Sequence, residues 1–394
     1  MWLSRWILTA KFTQLLTITT CIFSVTFQAS TVSLLDCQMR RNTFFKATSL
    51  PHSPGTDAIG TVHVCGDLAH KYGIYAGDRV AVLSPYLGGN SRYITAFAHD
   101  VVKVPRDLDA VEAVCLIRSY VTAYQCLHRI GSRGVRPGDK VLVTGSNGSV
   151  GRAVIELAQL AGAGVVFATA SRRHHQMLRD LGAVPLGIER EEWLPEVKGL
   201  VDVCIDTVGG STFEACQEAL RRVNSKLVSV GQTSLMDEAG FFGMSLSSAA
   251  SITFASWNAS QCYVYDLFGE AKEMPEDFRS DLEQLFVLLH QRKIQPRIAD
   301  CVPLVAVAHA HNCIEEGGLD GFIVCLPWKK ASYDTPRMKS ERPRAMKLTM
   351  SEKISQAAMT TGVTNQIARF FVVQRRSFGH TCYGLAKFVS GGDY

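Results

Sequence analysis

The chain has 394 residues, 47% of them hydrophobic and 20% charged, a balance that excludes a disordered polymer and allows two ordinary domains with buried cores. The formal net charge of +5 is small for that length, so charge makes no case for nucleic acid as a partner. Of the 12 cysteines no two form a Cys-x-x-Cys pair; most sit among apolar residues and read as small core hydrophobes in a reducing compartment, which favours the cytoplasm.

In chain order, residues 1–20 make an atypical start, and residues 12–35 carry no charge but follow Arg5 and Lys11. That suits a targeting segment or a membrane anchor. Threonines, serines and glutamines interrupt the run, however, and 22–29 alternates imperfectly, as a strand does. A strand is therefore the first expectation, with a signal or transit segment (an organellar or secreted protein) and a membrane helix as the alternatives. From 21 to 117, glycines punctuate short β-rich pieces such as 59–64 and 79–82, which predicts a compact β-barrel-like domain.

From Lys140 onward, short apolar runs alternate with helical periodicity. Strands are expected at 141–144, 164–169, 201–205, 227–230 and 251–256, joined by helices that include 153–161 and 175–181. This is the pattern of an α/β protein with a doubly wound parallel sheet. A helical stripe follows at 278–291, then strand, helix and strand over 301–327, expected to rejoin the first domain. The basic, proline-bearing stretch 329–394 reads as a disordered tail.

The strand at 141–144 runs straight into Gly145-Ser-Asn-Gly148-Ser-Val-Gly151 and then into a helix. Three glycines at that spacing, between a strand and a helix, form a phosphate cradle: one for the turn, one for close approach of backbone to a pyrophosphate, one for helix packing, with the anion at the helix N-terminus. The acidic residue that would bind the ribose of NAD is expected about 20 residues on, yet no Asp or Glu occurs between Glu156 and Asp180. The end of the second strand instead reads Ala170-Ser-Arg-Arg-His-His175. Ser171, Arg172 and Arg173 suit the 2′-phosphate of NADPH, because guanidinium forks bind phosphate by charge-assisted hydrogen bonds.

Over residues 21–328 the chain resembles the medium-chain dehydrogenase/reductase superfamily, and within it the zinc-independent quinone oxidoreductase group, including the zeta-crystallin-like and vesicle amine transport protein-like branches. The motifs that carry the likeness are Pro54-Gly-Thr-Asp-Ala-Ile-Gly60, Gly77-Asp-Arg-Val80, Thr122-Ala-Tyr124, Val135-Arg-Pro-Gly-Asp-Lys-Val141, the glycine loop, Asp202 to Gly210, and Ala310 to Gly318 with Gly321 to Pro327. The resemblance implies a GroES-like substrate domain from both chain ends (21–117 and 276–328) and a Rossmann domain between them (118–275). Zinc-dependent relatives place a histidine–glutamate pair where this chain has Thr56-Asp57, so zinc is not expected. Carried over by position, Gly148, Ser149, Val150 and Gly151 meet the pyrophosphate, Gly210, Val230, Gly231 and Gln232 line the far side, and Phe44 and Thr122 approach the nicotinamide.

Three positions depart from the family pattern: Ser33-Leu34 replaces an Asn-Pro pair, Ile188 an aromatic and Phe322 a lysine. Hydride transfer is the cofactor's chemistry, and the protein's part is orientation and polarisation. Ser33, Tyr120 and Thr122 are the candidate hydroxyls for it. The expected activity is NADPH-dependent hydride transfer to a quinone or α,β-unsaturated carbonyl; the alternative is a nucleotide-binding interaction protein of the same fold with little or no turnover. An apolar edge strand at 251–257 would pair two copies into a homodimer.

Overall fold

The computed structural model describes residues 22–41, 52–66, 72–84, 88–97, 100–210, 212–230, 261–317 and 319–330. Phe44, Gly231, Gln232, the strand expected at 251–256, the start 1–20 and the tail beyond 330 lie outside these residues.

The uncharged stretch near the N-terminus forms a strand, β1 (Ile22–Val32), whose alternation places Val25, Phe27 and Ala29 in the interior. Helix α1 (Leu34–Arg40) follows, then β2 (Asp57–Cys65), β3 (Arg79–Leu83), β4 (Tyr93–Phe97) and β5 (Val101–Lys103). A helical bridge leads on through α2 (Ala110–Cys115), a π-helical turn (Leu116–Tyr120) and α3 (Val121–His128).

The next run alternates strand and helix. Its strands are β6 (Lys140–Thr144), β7 (Val165–Thr169), β8 (Val184–Leu186), β9 (Val203–Asp206), β10 (Lys226–Ser229) and β11 (Cys262–Val264). Its helices are α4 (Ser149–Leu160), α5 (His175–Asp180), α6 (Arg190–Val197) and α7 (Thr212–Ala219). Then come α8 (Leu267–Glu273), α9 (Pro275–His290), β12 (Ile298–Pro303), α10 (Val307–Glu316) and β13 (Phe322–Leu326).

Two sheets result. The first has seven strands in the order β12-β13-β1-β2-β3-β5, with β4 also paired to β1, so the last described strand lies antiparallel beside the first. The second has six strands in the order β11-β10-β9-β6-β7-β8, all parallel. Counted from β6, this is the doubly wound order in which the chain reverses direction across the sheet beside its first strand, and a crevice opens there at the strands' carboxyl ends. One apolar core runs from Ala29 and Ile59 of the first sheet, through Tyr120 and Leu127 of the helical bridge, to Val141 and Val154 beneath the second.

Some elements differ from expectation. The short strand β8 was not foreseen, because three residues containing Pro185 carry no usable alternation. Helix α4 begins at Ser149 rather than near 153, since Gly148 is its N-cap. Beside β10 lies β11, which was not foreseen, while the strand expected at 251–256 lies outside the described residues.

Lys226 ties the sheet to the bridge. Its side chain is fully buried, and its ammonium donates to the carbonyls of Cys126 (2.7 Å), Leu127 (3.0 Å) and Ile130 (2.8 Å), at the end of α3. The Cys126 and Leu127 carbonyls belong to the last turn, where carbonyls lack a partner inside the helix and carry its negative dipole end, and Ile130 lies just beyond it. Lys226→Met should lower stability by about 2–4 kcal/mol, the cost of orphaning buried acceptors. Urea unfolding checks it, and a loss under about 0.5 kcal/mol would contradict this role.

Candidate functional site

The glycine loop lies between β6 and α4, at the reversal point of the parallel sheet. Gly145 has φ +62°, and a Cβ there would press on the Thr207 hydroxyl. At Gly151 a Cβ would stand 2.6 Å from the Ser146 Cα, so only glycine lets α4 pack this close to the turn. Gly148 caps the helix without a side chain, while its carbonyl accepts from the Arg152 amide (3.0 Å). The amides of Ser149, Val150 and Gly151 belong to the first turn, whose N–H groups have no acceptor within the helix and make a seat for an anion.

The loop is braced from two sides. At the end of β9, Asp206 is fully buried and accepts from the Thr144 hydroxyl (2.6 Å), the Gly209 amide (3.0 Å) and the Thr212 hydroxyl (2.9 Å). That stitches together the two strands flanking the crevice and leads into Gly210, at φ +59°. On the other side Arg152, directly after the third glycine, donates to the Asn147 carbonyl and pairs with Asp320. Asp320 also binds Arg297 (2.7 Å), so an ion-pair chain joins α4 to the turn before β13, and hydrogen bonding to Arg152 helps hold the Asp320 carboxyl below its usual range against some desolvation. Neither Arg152 nor Asp206 was singled out from sequence. The available signals were a long cation set directly after the third glycine and an acid closing an apolar strand.

At the end of β7, Ser171 precedes a short 3-10 turn that carries Arg172 and Arg173. Arg172 is exposed and pairs with Glu192 of α6 at 3.1 Å. Arg173 donates to His174 at 3.1 Å. The carboxylate absent from the sequence around 165–175 thus arrives from another element. Ile188 is exposed in the same region.

The three candidate hydroxyls are already engaged. Ser33 is the N-cap of α1 and donates to the Asp36 carboxylate at 2.9 Å. Tyr120 is 2% exposed and donates to Glu156 at 2.5 Å; burial and the adjacent carboxylate push its hydroxyl well above its usual range. Thr122 is buried in α3 and bonded to Tyr265. Val230, at the end of β10, is half-buried and anchored by its amide to the Asp206 carbonyl (2.8 Å).

The structure brings a different group to the crevice. Arg118 projects from the π-helical turn to the start of β2, where it donates to the Thr56 hydroxyl (3.1 Å) and lies 3.7 Å from the buried carboxylate of Asp57. Asp57 also accepts from the Thr31 hydroxyl (2.7 Å). Burial raises the Asp57 carboxyl and Arg118 opposes the rise. The next residue, Ser119, bonds to Ser149 of the glycine-loop helix at 3.0 Å, which puts the Arg118–Asp57 pair one residue from the phosphate cradle. Among the described residues no group of three or more His, Cys, Asp or Glu is arranged to hold a metal, and no helix is long and apolar enough to cross a membrane.

A crevice of this kind, with a glycine turn at its reversal point beside a mainly antiparallel sheet built from both ends of the described chain, is an arrangement known from dinucleotide-binding proteins. The family described as zinc-binding dehydrogenase matches residues 188–324. The synaptic vesicle membrane protein VAT-1 homolog of Mus musculus is 27% identical over 314 residues, covering 76% of this chain and 75% of that protein. The quinone oxidoreductase of Homo sapiens is 27% identical over 301 residues, 75% of this chain and 86% of that protein. Among solved structures, a mycobacterial quinone oxidoreductase shares the fold with a TM-score of 0.64 at 24% identity, covering 79% of this chain and 92% of its own. These similarities support kinship with the medium-chain dehydrogenase/reductase superfamily and, within it, the quinone oxidoreductase group. The likeness to quinone oxidoreductases supports an oxidoreductase activity and implies a nicotinamide cofactor.

The Arg172–Glu192 pair makes the cofactor's ribose end testable. Glu192→Gln removes the charge that competes for Arg172 and should tighten NADPH binding several-fold, on the order of 1 kcal/mol for a freed exposed cation, while leaving NADH nearly unchanged. Parallel titrations read the difference; an equal effect on both nucleotides would show that Arg172 does not face the 2′-phosphate.

Proposed function

We propose that this protein is an NADPH-dependent reductase of quinones or α,β-unsaturated carbonyl compounds that works without zinc. The observation that carries the reading is the uncapped first turn of α4, presented at the crevice by Gly145 and Gly151 with Arg118 one residue from its Ser149 contact. The cradle fits a dinucleotide pyrophosphate: the two glycines leave no room for side chains, and the first-turn amides are donors awaiting an anion.

When bound, a nicotinamide dinucleotide supplies hydride. Gly148, Ser149, Val150 and Gly151 would hold its phosphates, Ser171, Arg172 and Arg173 the 2′-phosphate, and Gly210 and Val230, with Gly231 and Gln232, the far side. The protein's own electrostatic contribution falls to Arg118. Its guanidinium carries more donors than Thr56 occupies, and Asp57 holds it in place, so it can stabilise the negative charge that gathers on a substrate carbonyl oxygen. Thr56 and Asp57 stand where zinc-dependent relatives keep ligands. An arginine fixed there does by hydrogen bonding what a Lewis acid would otherwise do. The final proton on the reduced substrate comes from solvent, since the hydroxyls of Ser33, Tyr120 and Thr122 are committed elsewhere.

That commitment also supports the second reading, a nucleotide-binding protein that acts through interaction with little turnover. Incubating the purified protein with NADPH and a panel of quinones and enones separates the two. The reductase reading predicts loss of reduced nicotinamide with at least one acceptor, and binding without oxidation across the panel would sink it. Arg118→Met should then lower kcat/KM by about 10²-fold, the typical weight of one oxyanion donor, with nucleotide affinity unchanged. Replacing Arg172 and Arg173 by Ala should weaken NADPH far more than NADH; an equal loss for both would remove the 2′-phosphate assignment.

A further inference from the structure

Helix α10 covers the face of the first sheet that is turned away from Arg118. Neighbouring residues of β1 show the two sides: Thr31 bonds to Asp57, whereas Ser30 bonds to Asn90, and Val32, Ile323 and Cys325 pack with Val307 and Ala310 of α10. A cavity of about 340 Å³ lies under that helix, walled by Pro54, Leu304, Val307 and Ala308. Its volume is at the small end of the range that ligand sites occupy.

Arg40, His52, Asn90 and His311 also line it, and three of these keep an atom with no hydrogen-bond partner among the described residues: Nδ2 of Asn90, Nε2 of His311 and Nδ1 of His52. Asn90 and His311 are 5% and 3% exposed. The Asn90 side-chain oxygen accepts from the Ser30 hydroxyl at 2.8 Å, which fixes the amide and commits its nitrogen as the free donor. Burial lowers the proton affinity of His311, so its ring is held neutral and can give or take one hydrogen bond. Orphaned buried polar atoms are rare in folded proteins, and three at one cavity mark a place where a ligand completes the bonding.

The charges at the rim select among ligands. Arg40 is bound to Glu315 at 2.5 Å, and Arg41 reaches the same carboxylate at 2.9 Å. Asp36 accepts from the Ser33 and Gly55 amides nearby. Among the described residues at the rim, the cations are thus already paired with a carboxylate, and the fixed donor is the neutral Asn90 amide. We propose that the cavity under α10 is a second binding site, which takes a small, largely apolar molecule whose neutral carbonyl oxygen accepts a hydrogen bond from Asn90 Nδ2. Its volume suits a molecule on the order of ten non-hydrogen atoms. The site is separate from the nucleotide crevice and does not depend on which cofactor fills it.

Benzamide is a suitable probe, with toluene as the partner lacking an acceptor and benzoate as the anion, each titrated calorimetrically into the full chain. Benzamide should bind saturably and about tenfold or more tighter than either. Asn90→Leu should weaken it at least tenfold. Ala308→Trp places bulk at an exposed position on the cavity wall, so it should fold normally, retain NADPH binding and lose benzamide. Four results would overturn the proposal: no saturable benzamide binding, toluene or benzoate binding as well as benzamide, indifference to Ala308→Trp, or a crystal structure with benzamide showing only ordered water at Asn90.

Discussion

The close approach of α4 to the end of β6 is the constraint from which the rest of the site follows. With the Ser146 Cα only 2.6 Å from where a Gly151 Cβ would stand, and Gly145 at φ +62°, the turn exists in this form only because two side chains are absent. That compression points the first turn of a twelve-residue helix into the crevice without a capping side chain. The same turn sets the reach of Ser149 to Ser119, which in turn places Arg118 against Thr56 and Asp57. Backbone geometry at two glycines thereby couples the anion seat to an arginine that a buried carboxylate helps to hold.

Electrostatics around this turn are arranged in layers. The buried Asp206 accepts hydrogen bonds from Thr144, Gly209 and Thr212 and so ties together the two strands that flank the crevice. Arg152 turns toward Asp320 and draws in the turn before β13, so closure between the two sheets has an ionic contact at the loop itself. A mobile exposed pair here would contribute little, but Arg152 is 6% exposed, and its chain of contacts is correspondingly less screened. The Arg172–Glu192 pair at the far end is solvated and correspondingly weak.

Much of this was legible in the residues. The parallel strands at 141–144, 164–169, 201–205 and 227–230, the glycine loop and the strand near the N-terminus announced themselves because period and turn chemistry are local. The return of the last strands to pair with β1 was also foreseen, through the strand, helix, strand pattern of 301–327. The active groups were harder. Ser33, Tyr120 and Thr122 look free in sequence, yet each has a partner: Ser33 has Asp36, one turn along α1, while the fold brings Glu156 of α4 to Tyr120 and Tyr265, beyond β11, to Thr122. Arg118 and Glu192 escaped notice for the converse reason, since nothing in their immediate neighbours hints at contacts 62 and 20 residues away.

The central claim is that the Gly145–Gly151 turn seats a nicotinamide dinucleotide. Calorimetric titration of the unmodified protein with NADPH, and separately with NADH, tests it before any substrate is known. The account predicts saturable binding of one NADPH per chain, tighter than NADH; absence of saturable binding by either nucleotide would contradict it.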